Sequence, residues 1–114
     1  MMVKTMLGPI LGCRNSERIL VFIQARNEGY ATEIARRYKT DLYGIQRQLD
    51  RLETGGVLVS RKVGRTRVYI FNPRYQLLPQ LKDLLQKAIS FYPMAEREAL
   101  LMNRRRPRRR GKPL

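Results

Sequence analysis

The sequence predicts a mainly α-helical domain with one small antiparallel β-hairpin, and three observations lead there. Apolar residues recur at helical spacing in four segments between residues 16 and 92, while residues 57–71 change to β-branched and aromatic types around a glycine. Asn-Glu-Gly, Lys-Thr-Asp, Gly-Gly and Asn-Pro punctuate the chain between these segments. At 114 residues, 43% of them hydrophobic, the chain fits one domain with a small core. Apolar faces left outside so small a core would be covered most simply by a second copy of the chain.

Residues 1–15 read as a packing arm with a helical turn beside Gly8-Pro9. Ile10-Leu11-Gly12-Cys13 loosely resembles a lipoprotein cleavage box, but the apolar segment between Lys4 and Cys13 is short and broken by Gly8-Pro9. After Asn15 and Ser16, either of which can cap a helix, ERILVFIQAR gathers Ile19, Leu20, Phe22 and Ile23 into an apolar cluster. Asn27-Glu28-Gly29 ends that helix, with Gly29 suited to a left-handed cap. A second helix opens at Tyr30 to Glu33, with either a capping Thr32 or an early acid, Glu33, at its start. Ile34, Ala35 and Tyr38 form its inward face, and Arg36 and Arg37 point out.

Thr40 or Asp41 caps a third helix that runs to Glu53 or Thr54. Its residues Leu42, Ile45, Leu49 and Leu52 fall on one face, which must be buried. The other face carries Tyr43, Gln46, Arg47, Asp50 and Arg51 and is free to touch a partner. Gly55-Gly56 stops the helix. Strands at 57–63 and 67–71 meet at Gly64-Arg65-Thr66, which places Arg65 at the hairpin tip and Lys62 and Arg67 at its base. Asn72-Pro73 ends the second strand. Residues 76–92 carry Leu77, Leu78, Leu81, Leu84, Leu85, Ala88, Ile89 and Tyr92 at helical spacing, with Pro79 tolerable only in the first turn. That stripe is more apolar than a small core needs, so part of it is assigned to a dimer interface. A short helix from Ala95 to Met102 follows, and residues from Asn103 on form a disordered Arg-rich tail.

Charge narrows the function. Against 24 Lys and Arg stand 9 Asp and Glu, a formal charge of +15, which points to a polyanionic partner. Seven of the basic residues, Arg104, Arg105, Arg106, Arg108, Arg109, Arg110 and Lys112, lie in the tail, and the rest of the chain still carries +8. The tail suits any nucleic acid without reading it. Cys13 is the only cysteine and there is no histidine, so neither an intrachain disulfide nor a usual zinc site can form. Cys13 itself reads as a buried apolar residue. No stretch approaches the roughly 20 apolar residues of a membrane span.

The stretch EIARRYKTDLYGIQRQLDRLETGGVLVSRKVGRTRVYIFNP resembles the winged helix-turn-helix domain of bacterial regulators of the ArsR type. The resemblance rests on a helix, a short turn, a recognition helix ending in Leu-Glu-x-x-Gly and a Gly-Arg wing. The Tyr-x-x-Asn-Pro ending before a leucine-rich helix is similar to small winged-helix proteins that occur alone or joined to nucleotidyltransferase domains. It covers residues 16–92 and implies a three-helix core, a wing and a C-terminal dimerisation helix. Lys39 stands where many such turns have glycine, which implies either a turn with a different backbone or a left-handed residue held at some cost. The paired cysteines of metal-sensing relatives are absent, so no metal or cofactor is expected.

The resemblance implies a recognition helix in the major groove, with Leu42, Tyr43, Gly44, Gln46 and Arg47 nearest the bases. Gln46 suits adenine and Arg47 suits guanine. Arg65 would enter the minor groove, with Lys62, Thr66 and Arg67 on phosphates. Arg36, Arg37, Lys39 and Thr40 flank the turn and suit the DNA backbone. The implied function is that of a homodimeric, cytoplasmic, nucleoid-associated transcriptional regulator of double-stranded DNA. The alternatives are an architectural or RNA-binding protein led by the tail, and an interaction module for a separately encoded nucleotidyltransferase. Catalysis is not expected, because there is no histidine and the acids are scattered.

Overall fold

The computed structural model describes residues 5–109, with side chains for residues 5–101. In chain order the elements are α1 (Gly8–Leu11), α2 (Arg14–Arg26), β1 (Gly29–Tyr30), α3 (Ala31–Tyr38), α4 (Leu42–Thr54), β2 (Leu58–Val63), β3 (Thr66–Phe71), α5 (Leu78–Ser90) and α6 (Met94–Arg109). Helix α2 is the pillar. Ile19, Leu20, Val21, Phe22 and Ile23 are each at most 1% exposed, and a 3.6-residue period spreads five consecutive apolar residues right round a helix. Such a helix needs neighbours on every side, and α1, α3, α4, α5 and α6 supply them. Ile34 and Ala35 from α3, Ile45, Leu49 and Leu52 from α4, and Leu85, Ala88 and Ile89 from α5 close the core around it.

Element ends differ in detail from the sequence reading. Cys13, not Asn15 or Ser16, occupies the cap position of α2, and Tyr30 rather than Thr32 caps α3. At the end of α2 the left-handed residue is Asn27 (φ 75°), whose N–H donates to Ile23 O at 2.7 Å. Gly29 is therefore not the cap. It lies in β1, a two-residue strand too short to leave a sequence pattern, and pairs antiparallel with Tyr69 while Tyr30 pairs with Val68. The expected hairpin is thus a three-stranded sheet of order β1-β3-β2. Glycine is needed at position 29 for space: an added Cβ would stand 2.9 Å from Phe22 Cε1 and 3.3 Å from Ile34 Cδ1. Gly29→Ala is expected to cost about 1 to 2 kcal/mol by overpacking, measurable as a lower denaturation midpoint at an unchanged m-value.

The arm is tied down by one carboxylate. Glu17, in the first turn of α2 and 3% exposed, accepts from Thr5 Oγ1, from the Leu7 N–H at 2.9 Å, from the Met6 N–H at 3.4 Å and from Tyr92 O–H at 2.6 Å. Burial pushes its pKa up, but these hydrogen bonds outweigh burial and hold it below the ordinary value. The opposite partner responds in the expected sense, with burial and the Glu17 contact pushing the Tyr92 phenol well up. Leu7 packs into the core as a result.

The helix expected to end at Met102 continues to Arg109 as α6, in keeping with the good helix propensity of arginine. The side chains of Arg104, Arg105, Arg106, Arg108 and Arg109, and all of Arg110 and Lys112, lie outside the described residues. Buried Arg26 fastens α6 to α2 through bonds from Nε to Leu100 O at 2.8 Å and from Nη2 to Ala99 O at 3.3 Å.

Candidate nucleic-acid interface

Helix α4 begins as its sequence dictates. Asp41 is the cap, and its Oδ2 accepts from the Gly44 N–H at 3.1 Å, an arrangement worth about 1 kcal/mol. Before it, Lys39 takes the left-handed conformation (φ 52°, ψ 49°), one of the two outcomes left open by the missing turn glycine. Its strain, about 1 to 2 kcal/mol for a non-glycine residue, is offset by the 3.0 Å bond from Thr40 N to Ala35 O that closes α3. The angle between α3 and α4 is fixed by this turn and by the packing of Ile34 and Ala35 with Ile45 and Leu49 in the common core.

Ile45, Leu49 and Leu52 are buried as expected, but Leu42 is 37% exposed. The first turn of α4 projects beyond the core, so Leu42 leaves the buried face and stands beside Tyr43, which is 65% exposed. Gln46 and Arg47 are exposed on the same helix, and the Arg47 guanidinium lies 5.7 Å from the Tyr43 ring centroid. Gly44 differs from its expected role. The space left by its missing side chain is taken from inside the protein, where a Cβ would come 3.0 Å from Asn15 Nδ2. Arg51 also turns inward: it donates to Gln48 Oε1, Ser16 Oγ and Leu11 O, and so ties α4 to α2 and the arm.

Strands β2 and β3 pair in register from Leu58↔Phe71 to Val63↔Thr66, leaving Gly64-Arg65 as a two-residue tip with Gly64 at φ 64°. Arg65 and Lys62 are exposed. Arg67 donates to Ser60 Oγ at 3.1 Å, and Ser60 in turn donates to Glu53 Oε2 at 2.7 Å, a chain that fixes the wing against the end of α4. Between wing and helix lies a cleft of about 600 Å³ lined by Gln46 and Asp50 of α4, by Arg65, Thr66, Arg67 and Tyr69 of the wing, and by Tyr30, Ala31 and Thr32 at the start of α3. Burial, with the nearby Asp50 and Glu53 charges, pushes the Tyr69 phenol up, so it remains a donor in this cleft at neutral pH. Glu33, the acid in the first turn of α3, takes a backbone hydrogen bond from Tyr30.

Among the residues flanking the turn, Arg36 and Lys39 are exposed and Thr40 is half-buried. Arg37 does not point out as expected. It pairs with Glu96 of α6 at 2.9 Å with its side chain 16% exposed, because α6 covers that side of α3. The sequence reading missed Tyr30, Thr32 and Tyr69, which line the cleft only because β1 brings the start of α3 alongside β3. The Gly29-Tyr30 pair carries no periodic signal that would have placed them.

Cys13 is half-buried with its Sγ 3.3 Å from Ser16 Oγ, not an enclosed apolar residue. Burial raises its pKa, but the Ser16 and Asn15 hydrogen bonds and the Arg51 charge outweigh burial and lower it. Among the described residues no group of three or more His, Cys, Asp or Glu side chains could hold a metal ion, and no helix is long and apolar enough to cross a membrane.

Three packed helices, a turn joining the second to the third and a basic hairpin folded beside the third make this a winged helix-turn-helix fold. A solved structure, that of the transcriptional regulator BldR from Sulfolobus solfataricus, is similar to it with a TM-score of 0.50, covering 90% of this chain and 79% of that one at 17% identity. No family model and no curated protein matches the chain.

Proposed function

We propose that the protein is a sequence-specific, double-stranded DNA-binding transcriptional regulator of the ArsR-like winged-helix kind. The observation that carries this reading is the shared cleft: Gln46 and Asp50 of α4 line one concave surface with Arg65 and Arg67 of the wing, beside exposed Tyr43 and Arg47, on a chain of charge +15. Helix α4 enters the major groove with Tyr43, Gln46 and Arg47 toward the bases. Arg65 reaches the minor groove or the backbone, and Lys62, Thr66 and Arg67 meet phosphates together with Arg36, Lys39 and Thr40. Leu42, exposed at the tip of α4, suits a thymine methyl. Arg37 and Gly44 act from within, holding α3 to α6 and admitting Asn15. A regulator named among the structures of similar fold supports the same class of function. A cytoplasmic, nucleoid-associated location follows from the reading.

The protein acts as a homodimer. Leu77, Leu84 and Phe91 are 58%, 40% and 63% exposed, and their seven-residue spacing draws one apolar seam along the outer side of α5, suited to a second copy of the same helix. Two recognition helices would then address successive major grooves about 34 Å apart. Footprinting on genomic fragments tests the reading, with a protected inverted repeat as the expected result and uniform, sequence-blind protection as the result against it. Arg65→Ala is expected to weaken binding to all duplexes alike and to reduce the slope of log K against log salt by about 0.9 per protomer, measured by anisotropy across a salt series.

A further inference from the structure

The wing flanks one side of α4, and a second group of basic side chains stands on its other side. Gln46 and Asp50 line the cleft shared with the wing. Gly44 lies about 160° from Gln46 round the helix at 3.6 residues per turn. There Asn15 of α2 takes the space of the missing side chain, with its Nδ2 3.0 Å from where a Cβ would stand. Ser16 bonds Gln48 and Arg51 along the same side of α4. The first turn of α2 therefore runs beside the tip of α4, away from the wing. Asn15 Oδ1 accepts from Arg18 Nη1 at 3.0 Å, and the Arg18 guanidinium lies 5.3 Å from the ring centroid of Tyr38, the last residue of α3.

Arg18 is half-buried, and Arg14, one turn before it on the same face, is exposed. Burial, and then the Arg14 charge, push the Arg18 pKa down, the response of a cation crowded by a like charge. The acids near Arg18 are engaged elsewhere: Glu17 accepts from Thr5, Met6, Leu7 and Tyr92, and Glu96 pairs with Arg37. Among the described residues neither Arg14 nor Arg18 makes an ion pair. Two guanidinium groups, one of them fixed by Asn15 and Tyr38, are thus held together without a counter-charge.

An α-helix about 10 to 12 Å across fills a major groove about 12 Å wide, so a sugar-phosphate strand borders it on each side. We propose that the first turn of α2 grips the strand on the side away from the wing, with Arg14 and Arg18 on its phosphates. Asn15 positions Arg18 and, through its contact with Gly44, sets that grip at a fixed distance from the base-reading face of α4. The wing and α2 then hold the two strands from opposite sides, contacts that fix the register of α4 without reading sequence. This inference deepens the DNA-binding reading and rests on it.

Anisotropy of a labelled duplex of random sequence, titrated with the full chain across a salt series, tests the grip. Arg14→Gln should reduce the slope of log K against log salt by about 0.9 per protomer, and Arg14→Lys, which keeps the charge, should leave the slope as it is in the unaltered chain. Combining Arg14→Gln with Arg65→Ala should reduce it by about 1.8, because the two side chains meet separate phosphates. Arg74→Gln should leave it unchanged, since this exposed arginine follows the end of β3 remote from the wing tip. Four results would overturn the grip and leave the wing's contact standing: a slope unaffected by Arg14→Gln, a slope reduced as much by Arg74→Gln, a loss in Arg14→Lys equal to that in Arg14→Gln, or a double variant that loses no more than Arg65→Ala alone. An unaltered chain that binds no duplex would end the DNA-binding reading itself, and the grip with it.

Discussion

Replacing Glu17 with alanine lowers the stability of the fold by about 3 kcal/mol, since it leaves donors from the arm and from Tyr92 unsatisfied at about 1 to 3 kcal/mol each. Thr5 and Leu7 belong to the arm and Tyr92 follows α5, so the loss falls on the contacts that join the arm and the end of α5 to the first turn of α2. For a domain of this size such a loss corresponds to a fall in Tm of about 15 °C, read by circular dichroism. The pH dependence has a definite sign. Because the Glu17 carboxyl is held below its ordinary value of 4.5, its contribution is fully present above that pH and is lost as pH falls through the lower, folded-state value. Glu17→Gln keeps one acceptor oxygen and removes the titration. The stability gap between Glu17→Gln and the unaltered protein should therefore narrow as pH falls below the ordinary value of 4.5 and through the lower folded-state value. A constant gap would mean that Glu17 does not carry the charge assigned to it.

The second large effect is on recognition. Arg47→Ala should weaken binding to the preferred duplex by about 10- to 100-fold, the equivalent of about 1 to 3 kcal/mol, while binding to unrelated duplex changes far less. Arg47→Lys separates charge from geometry. Lysine keeps the positive charge but loses the planar fork that pairs with guanine and stacks on Tyr43, so its affinity should approach that of the alanine variant on the preferred site and that of the unaltered protein on random sequence. Anisotropy with both duplexes reads the two effects side by side.

Much of this architecture was legible in the sequence because it is local. The helix start at Asp41, the buried row of Ile45, Leu49 and Leu52, and the Gly64 tip are each written in a few neighbouring residues, and each is found in the fold. What escaped depends on partners distant in sequence. Strand β1 is two residues long and exists only through its pairing with β3, so its alignment of Tyr30 and Thr32 with the wing left no trace in periodicity. Arg37 and Arg51 look like Arg36 and Arg47 on a helical projection, yet Arg37 pairs with Glu96 of α6, and Arg51, although exposed, bonds Ser16 of α2 and Leu11 of the arm. Leu42 made the reverse error, since a helix whose first turn overhangs its support exposes an apolar residue that its spacing assigns to the core.

The candidate site follows the same division. Residue types on the outer face of α4 were readable, whereas the concave surface they share with Arg65 and Thr66 depends on how the wing folds back. The chain Arg67–Ser60–Glu53 sets that distance by joining the base of the wing to the end of α4.

The central claim is that α4 reads bases rather than merely resting on phosphates, and selection of bound duplexes from a random pool tests it most directly. The unaltered protein should enrich one inverted repeat, and a variant carrying both Gln46→Ala and Arg47→Ala should bind the pool through its remaining charge without enriching that repeat. A pool that stays random with the unaltered protein, or the same repeat enriched by the double variant, would contradict it.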